Sequence, residues 1–245
     1  MAVSKVALVG LALPVAGAVV LARQGASVRR TALRLPEALG PDHDHPRSSG
    51  TPLNLYVVGD SVAAAVGLDH HSTSLAGRLG DLLALEGPVR RRVLAVSGFD
   101  AAQARQLVEG RLSDADVVVV SIGVNDTKNL HSRRRWRTEL GALLDSVTRQ
   151  APQARVVLLG IPPMERFPAL PTALGLVLGV RSRLMDRVGR EVATRYPTVR
   201  RLDLPRSEFT VLQDPFARDG FHPSEAMHEL FATRIRGLLD EMVGA

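Results

Sequence analysis

The stretch VVVVSIG at residues 117–123 decides how this chain is read. Four consecutive valines, and Ile122 beyond one serine, leave no polar face for water. A strand with one wet face alternates apolar and polar residues, whereas a strand covered on both faces reads as a continuous apolar run. The run therefore predicts an inner strand of a parallel sheet with helices above and below it. Gly123, Val124, Asn125 and Asp126 then close the run.

Working outward, four further strand-like runs stand at 53–58, 93–96, 156–161 and 199–204. The segments between them carry helical spacing. Trp136, Leu140, Leu143, Leu144 and Val147 share one face, as do Met227, Leu230, Phe231, Ile235, Leu238 and Met242 near the end. Strands alternating with helices predict an α/β fold, a three-layer α/β/α sandwich on a five-stranded parallel sheet in flavodoxin-like order. With 245 residues there is chain for one such domain plus a short extra segment. Aromatics are only 4% of the residues, so the core is expected to be aliphatic. The chain has no cysteine, which excludes a disulfide framework and a thiolate metal site.

The formal net charge is +6, with clusters at Arg90-Arg91-Arg92 and Arg133-Arg134-Arg135. Such charge attracts nucleic acid, anionic lipid or anionic substrates. No nucleic-acid motif accompanies the clusters, so they read as solvated faces and no nucleic-acid partner is expected. The N-terminus carries VALVGLALPVAGAVVLA at 6–22, which is uncharged and at the lower length limit for a membrane span. Lys5 precedes it; Arg23, Arg29, Arg30 and Arg34 follow. There is no clear small-x-small cleavage site, and Pro14 is tolerated in a membrane helix. Residues 1–25 are thus expected as a hydrophobic helix anchoring the protein to a membrane, ahead of a cleaved signal segment or a buried helix. The arginines after the span point to a cytoplasmic catalytic side, and cleavage would make the protein secreted. Residues 26–52 read as a linker, rich in proline and glycine. Its Asp42-His43-Asp44-His45 tract is read as solvated rather than metal-binding. Residues 53–245 form the remaining domain.

In a parallel sheet, ligands bind beyond the carboxyl ends of the strands. Four stretches fall there: Gly59-Asp60-Ser61, Ser97-Gly98-Phe99, Gly123 to Asp126, and Asp219-Gly220-Phe221-His222-Pro223 ahead of the last helix. Each alone also reads as a turn or a helix cap, and their weight is joint. A serine hydroxyl becomes a nucleophile when a base takes its proton. His222 titrates in the right range for that task, and Asp219 can hold its imidazole in one tautomer. A developing oxyanion needs donors, which the N–H groups of Ser61 and Gly98 and the Asn125 amide can supply. Gly98 suits that role if the backbone must approach the substrate closely. Asp60 is expected to fix its turn by accepting from backbone N–H groups, and Asp126 to do the same. His70 and His71 read as surface or pocket rim, and no metal or cofactor is expected.

In these four blocks the chain resembles the SGNH hydrolases, also called GDSL esterases and lipases. The resemblance covers residues 53–239. It implies Ser61 as nucleophile, Asp219 and His222 as the rest of the triad, Gly98 and Asn125 as oxyanion donors, and a flavodoxin-like sandwich. One departure is Val96, where the family often has asparagine. Gly-Asp-Ser-Val-Ala is not the Gly-x-Ser-x-Gly elbow of the α/β-hydrolases. Beyond the fourth run stand Pro162 and Met164, followed by a nearly uncharged segment at 168–180. Pro162, Met164, Leu174 and Leu178 are expected to line an acyl pocket, the alternative being a helix buried on the sheet. The expected activity is a serine esterase that cleaves carboxylic ester or thioester bonds of acyl-lipids or other small acyl substrates through an acyl-enzyme, as a monomer. The alternatives are a deacetylase of cell-envelope saccharides and a non-catalytic binding module.

Overall fold

The computed structural model describes residues 3–41 and 50–243, with side chains from residue 17 onward. Five strands form: β1 Leu53–Gly59, β2 Val89–Ala95, β3 Val117–Ser121, β4 Arg155–Leu159 and β5 Val199–Leu202. All pair in parallel in the order β2-β1-β3-β4-β5, the flavodoxin-like order. The helices are α1 Val3–Thr31, α2 Leu75–Leu83, α3 Ala101–Val108, α4 Val124–Lys128, α5 Arg133–Gln150, α6 Thr172–Ala193, α7 Glu208–Val211 and α8 Glu225–Val243.

The sandwich follows from the strand period of two. Tyr56, Val58, Val118, Val120, Val156 and Leu158 face α3, α5 and α6. Leu55, Val57, Val117, Val119, Val157 and Leu159 face α2 and α8. Every residue of β3 is buried, as its valine run predicts. The expected stripes of α5 and α8 are the stripes that pack. Trp136 is 1% exposed, and its indole N–H donates to the Met185 carbonyl at 2.9 Å, tying α5 to α6.

Several expectations are corrected. β2 starts at Val89, four residues before the apolar run, because Arg90, Arg91 and Arg92 are strand residues. Arg91 is not a solvated side chain: it is 4% exposed and donates to the carbonyls of His71 and Pro41. The chain after Ser61 does not enter a helix. Residues 61–67 form consecutive turns, with Ala64 N–H on Asp60 O at 2.9 Å and Val66 N–H on Ser61 O at 3.0 Å. α2 starts only after Ser74, whose hydroxyl accepts from Gly77 N–H.

α1 runs past the expected anchor to Thr31, through Arg23, Arg29 and Arg30. Among the described residues no helix is long and apolar enough to cross a membrane. The side chains of 6–16, most of the expected span, lie outside the described residues, as does the 42–45 tract. The residues just before that tract run along the domain. Gly67 N–H donates to Pro36 O at 3.0 Å, Leu39 N–H to Asp69 O at 3.0 Å, and His71 N–H to Leu39 O at 2.8 Å.

Candidate active site

β1 and β3 end side by side, Gly59 level with Ser121. A Cβ on residue 59 would overlap the Ser121 carbonyl, so only glycine lets the two backbones come this close. Asp60 N–H donates to the same carbonyl at 3.2 Å. This crossing lifts the chain over the sheet edge and presents Ser61. The Asp60 carboxylate is 1% exposed; Oδ1 accepts from Val62 N–H at 3.2 Å and Oδ2 from Asn125 Nδ2 at 3.3 Å. Burial pushes its carboxyl up to about 7, against the Val62 N–H and the Lys128 charge, which favour ionisation.

Asp219 and His222 sit on the loop before α8. An isolated bridge between Phe216 and Pro223, and Ala217 N–H on His222 O at 2.8 Å, close that loop. His222 Nδ1 lies 2.6 Å from Asp219 Oδ2, while Asp219 Oδ1 accepts from the N–H groups of Phe221 at 2.9 Å and His222 at 3.0 Å. A proton on Nδ1 facing the carboxylate leaves Nε2 as the nitrogen with the lone pair. Burial alone would raise the Asp219 carboxyl. The hydrogen bonds from Phe221 N–H, the His222 ring and His222 N–H outweigh it and hold the group below the ordinary value.

Ser61 and His222 line one cavity of about 50 Å³. Its wall is aromatic: Phe167, Phe209, Phe216, Phe221 and Phe231 all line it, five of the six phenylalanines in the chain. Phe167 meets Phe216 edge-on at 5.1 Å and Phe221 at 5.0 Å, and Phe209 stacks on Phe216 at 5.8 Å. The sequence reading missed this wall. The available signal was the clustering of rare aromatics around the last block.

Of the four expected pocket residues only Pro162 lines the cavity. Met164 and Leu178 are buried, and with Leu174 they pack as a small satellite core against Phe167 and Phe221. The cause is the phase of α6, whose buried stripe of Gly175, Leu178, Gly179 and Ser182 faces the turn at Met164–Arg166. These residues back the aromatic wall and do not form its surface.

The oxyanion candidates are placed unevenly. Gly98 is exposed at φ +90°, and a Cβ there would meet nothing within 4 Å. The positive φ favours glycine here, and no other part of the protein crowds the position. Asn125 is 3% exposed, and its Nδ2 donates to Phe99 O at 2.8 Å and to Asp60 Oδ2 at 3.3 Å, which engages both amide hydrogens. Asn125 thus stitches the first three blocks together. Neither Gly98 nor Asn125 lines the cavity that holds Ser61 and His222. Asp126 does not repeat the Asp60 turn: its Oδ1 pairs with His131 Nδ1 at 3.1 Å. His71 is buried, His70 is exposed, and neither lines the cavity. Fully buried His228 accepts from Leu75 N–H at 2.9 Å, and burial lowers its imidazole to about 3, so it is neutral.

A serine on a tight turn after β1, and a histidine brought to the same cavity and backed by an aspartate on the loop before the last helix, are features of a hydrolase built on a parallel sheet. The chain belongs to the GDSL-like lipase/acylhydrolase family, whose model matches residues 57–230. Among solved structures, TesA is similar at 23% identity with a TM-score of 0.63, over 76% of this chain and 97% of that one. The psychrotrophic esterase EstA from Pseudoalteromonas sp. is similar at 18% identity, TM-score 0.61, over 78% and 99%. Est24, a carbohydrate acetylesterase from Sinorhizobium meliloti, is similar at 14% identity, TM-score 0.59, over 78% and 99%. These likenesses are of fold. No curated protein matches the chain. Family membership supports an ester-hydrolysing enzyme.

Proposed function

We propose that the protein is a serine esterase that moves a small acyl group from a carboxylic ester to Ser61 and then to water. The observation that carries the reading is the 2.6 Å contact between His222 Nδ1 and Asp219 Oδ2, on a cavity that Ser61 also lines. Ser61 Oγ attacks the ester carbonyl while His222 Nε2 takes its proton. The imidazolium, held by Asp219, returns that proton to the departing alkoxide. Water then repeats the sequence on the acyl-enzyme. The N–H groups of Ser61 and Gly98 and the Asn125 amide receive the oxyanion. Asn125 must exchange one of its two present partners to do so, an adjustment consistent with donors that align only when substrate is bound.

The size of the acyl group is argued from room. A cavity of about 50 Å³ walled by five phenylalanines suits an acetyl or short acyl group better than a long chain. The carbohydrate acetylesterase named among the similar structures fits the same class. A second reading, acyl-lipid hydrolysis at a membrane, is favoured by the exposed Leu176, Val177 and Val180 on α6 and the uncharged run at 6–16. In that reading residues 1–25 are the anchor, and the catalytic domain of 53–245 is joined by the residues 36–41 that bond to it.

The test is hydrolysis of p-nitrophenyl esters, acetate through palmitate, by the full chain, with Ser61→Ala as control. Acetate or butyrate should be preferred, and the substitution should lower kcat at least about 10³-fold. A preference for palmitate would shift the conclusion to the second reading. Absence of both hydrolysis and fluorophosphonate labelling would sink the esterase and leave a binding module.

A further inference from the structure

A cluster outside the catalytic groups stands where β3 runs into α4 and α5. Asp126 lies in the first turn of α4, His131 in the connection to α5, and Glu139 on α5. One ligand atom from each lies within 4.8 Å of the other two. His131 Nδ1 is 3.1 Å from Asp126 Oδ1 and 3.7 Å from Glu139 Oε2. Ligands bound at about 2.0–2.2 Å to a tetrahedral zinc ion stand roughly 3.3–3.5 Å apart, a spacing that the two distances from His131 Nδ1 bracket.

We infer that Asp126, His131 and Glu139 form a site for a zinc-type divalent cation. Three further observations support this. Asp126 is fully buried and His131 only 9% exposed, yet Asp126 Oδ2 and Glu139 Oε2 are buried with no hydrogen-bond donor. A native interior pairs such atoms, and these two point to a positive group. Second, the charges do not balance. Asp100, Asp126 and Glu139 surround the ring; Arg135 lies 2.7 Å from Glu139 Oε1 and 3.5 Å from Asp100 Oδ2, and the Arg181 guanidinium meets only backbone carbonyls of this segment. Carboxylates outnumber the guanidiniums that pair with them here, an excess that a divalent cation offsets. Third, a carboxylate lies on the far side of the ring, where a metal-bound imidazole usually has one, at an ion-pair distance that is too long for a hydrogen bond. His131 Nε2 lies 3.9 Å from Asp100 Oδ2.

The connection carrying His131 is held in place by the rest of the fold. Arg181 of α6 donates to Thr127 O at 2.8 Å and to His131 O, and His131 N–H donates to Asp126 O at 3.0 Å. One imidazole with two carboxylates favours zinc-class ions over magnesium or calcium, which prefer all-oxygen shells. The ion would not touch the reacting atoms. It would position the segment of Asn125, the residue before Asp126, and join it to the start of α3 through Asp100.

The experiment uses the full chain, stripped of metal with a chelator and titrated with zinc chloride by calorimetry and by thermal melting. Magnesium and calcium are run in parallel. The expected result is one tight equivalent of zinc at this site and a melting temperature raised by several degrees. Glu139→Gln, close to the native shape, should weaken binding at least about 10-fold, and His131→Ala should remove it. The double variant His43→Ala with His45→Ala should still bind at this site. The inference is overturned if Glu139→Gln and His131→Ala bind zinc as the native chain does. Loss of all binding in the His43/His45 variant would assign the zinc to that tract, and an equal response to magnesium would exclude a zinc-type site.

Discussion

Asp219 is held under two opposing influences, and their balance sets how the pair behaves with pH. Burial disfavours its charge, but three hydrogen bonds win and lower its pKa. A carboxyl whose folded value is depressed contributes stability above its unfolded value near 3.9, and that contribution is lost as pH falls through the folded value. Asp219→Asn should therefore destabilise the protein at pH 7 but not at the acid end of the folded range, as urea melts at several pH values would show. The same substitution should lower kcat by about 10³–10⁴-fold by placing the wrong tautomer on His222. Asp60 has the opposite sign. Its folded value of about 7 lies above the unfolded one, so its contribution is complete below pH 4 and lost as pH rises through 7. Asp60→Asn should flatten the decline in stability between pH 4 and 8, by about 2–4 kcal/mol at one unit per 1.4 kcal/mol. An unchanged slope would place the titration elsewhere.

Among the elements, the turn after β1 carries the tightest constraint. Gly59→Ala drives a methyl into the Ser121 carbonyl, which is backbone and cannot yield cheaply. A loss of about 3 kcal/mol is expected in chemical denaturation. Trp136→Phe should cost about 1–3 kcal/mol, because the Met185 carbonyl loses its donor at the α5–α6 contact. The strands and the buried helix stripes were legible because each rests on local periodicity, whereas the strand order is implied by the family resemblance. The valines of β3 have one stable environment, between two helical layers. Arg91 was not legible. Its burial depends on carbonyls of His71 and Pro41, distant in the chain, to which its guanidinium donates while its stem lies beside Gly80. The phase of α6 was hidden for the same kind of reason. Its apolar residues run around the helix, so composition alone did not say that Leu178 faces inward while Leu176 faces water.

On the scale of the whole molecule, the cavity joins parts that are far apart in sequence: the ends of β1, β3 and β4 and the long loop between β5 and α8. Motif order pointed to Ser61, Asp219 and His222 as candidates because four blocks, each weak alone, fall together at the same sheet edge. Phenylalanines reveal little until the fold brings them together. Phe209→Ala should remove the ring stacked on Phe216 and lengthen the pocket. The kcat/KM ratio for hexanoate over acetate should then rise about 10-fold, with some loss of stability; an unchanged ratio would place the acyl group elsewhere. The contacts of Pro36, Leu39 and Pro41 have a practical consequence for anyone trimming this chain. Counting strands puts the start of the folded unit at Leu53, but the backbone bonds to Gly67, Asp69 and His71 put it earlier. A version cut at Leu53 would lose a clasp that steadies the loop leading out of the Ser61 turn, and should melt at a lower temperature than one that keeps residues 33–41.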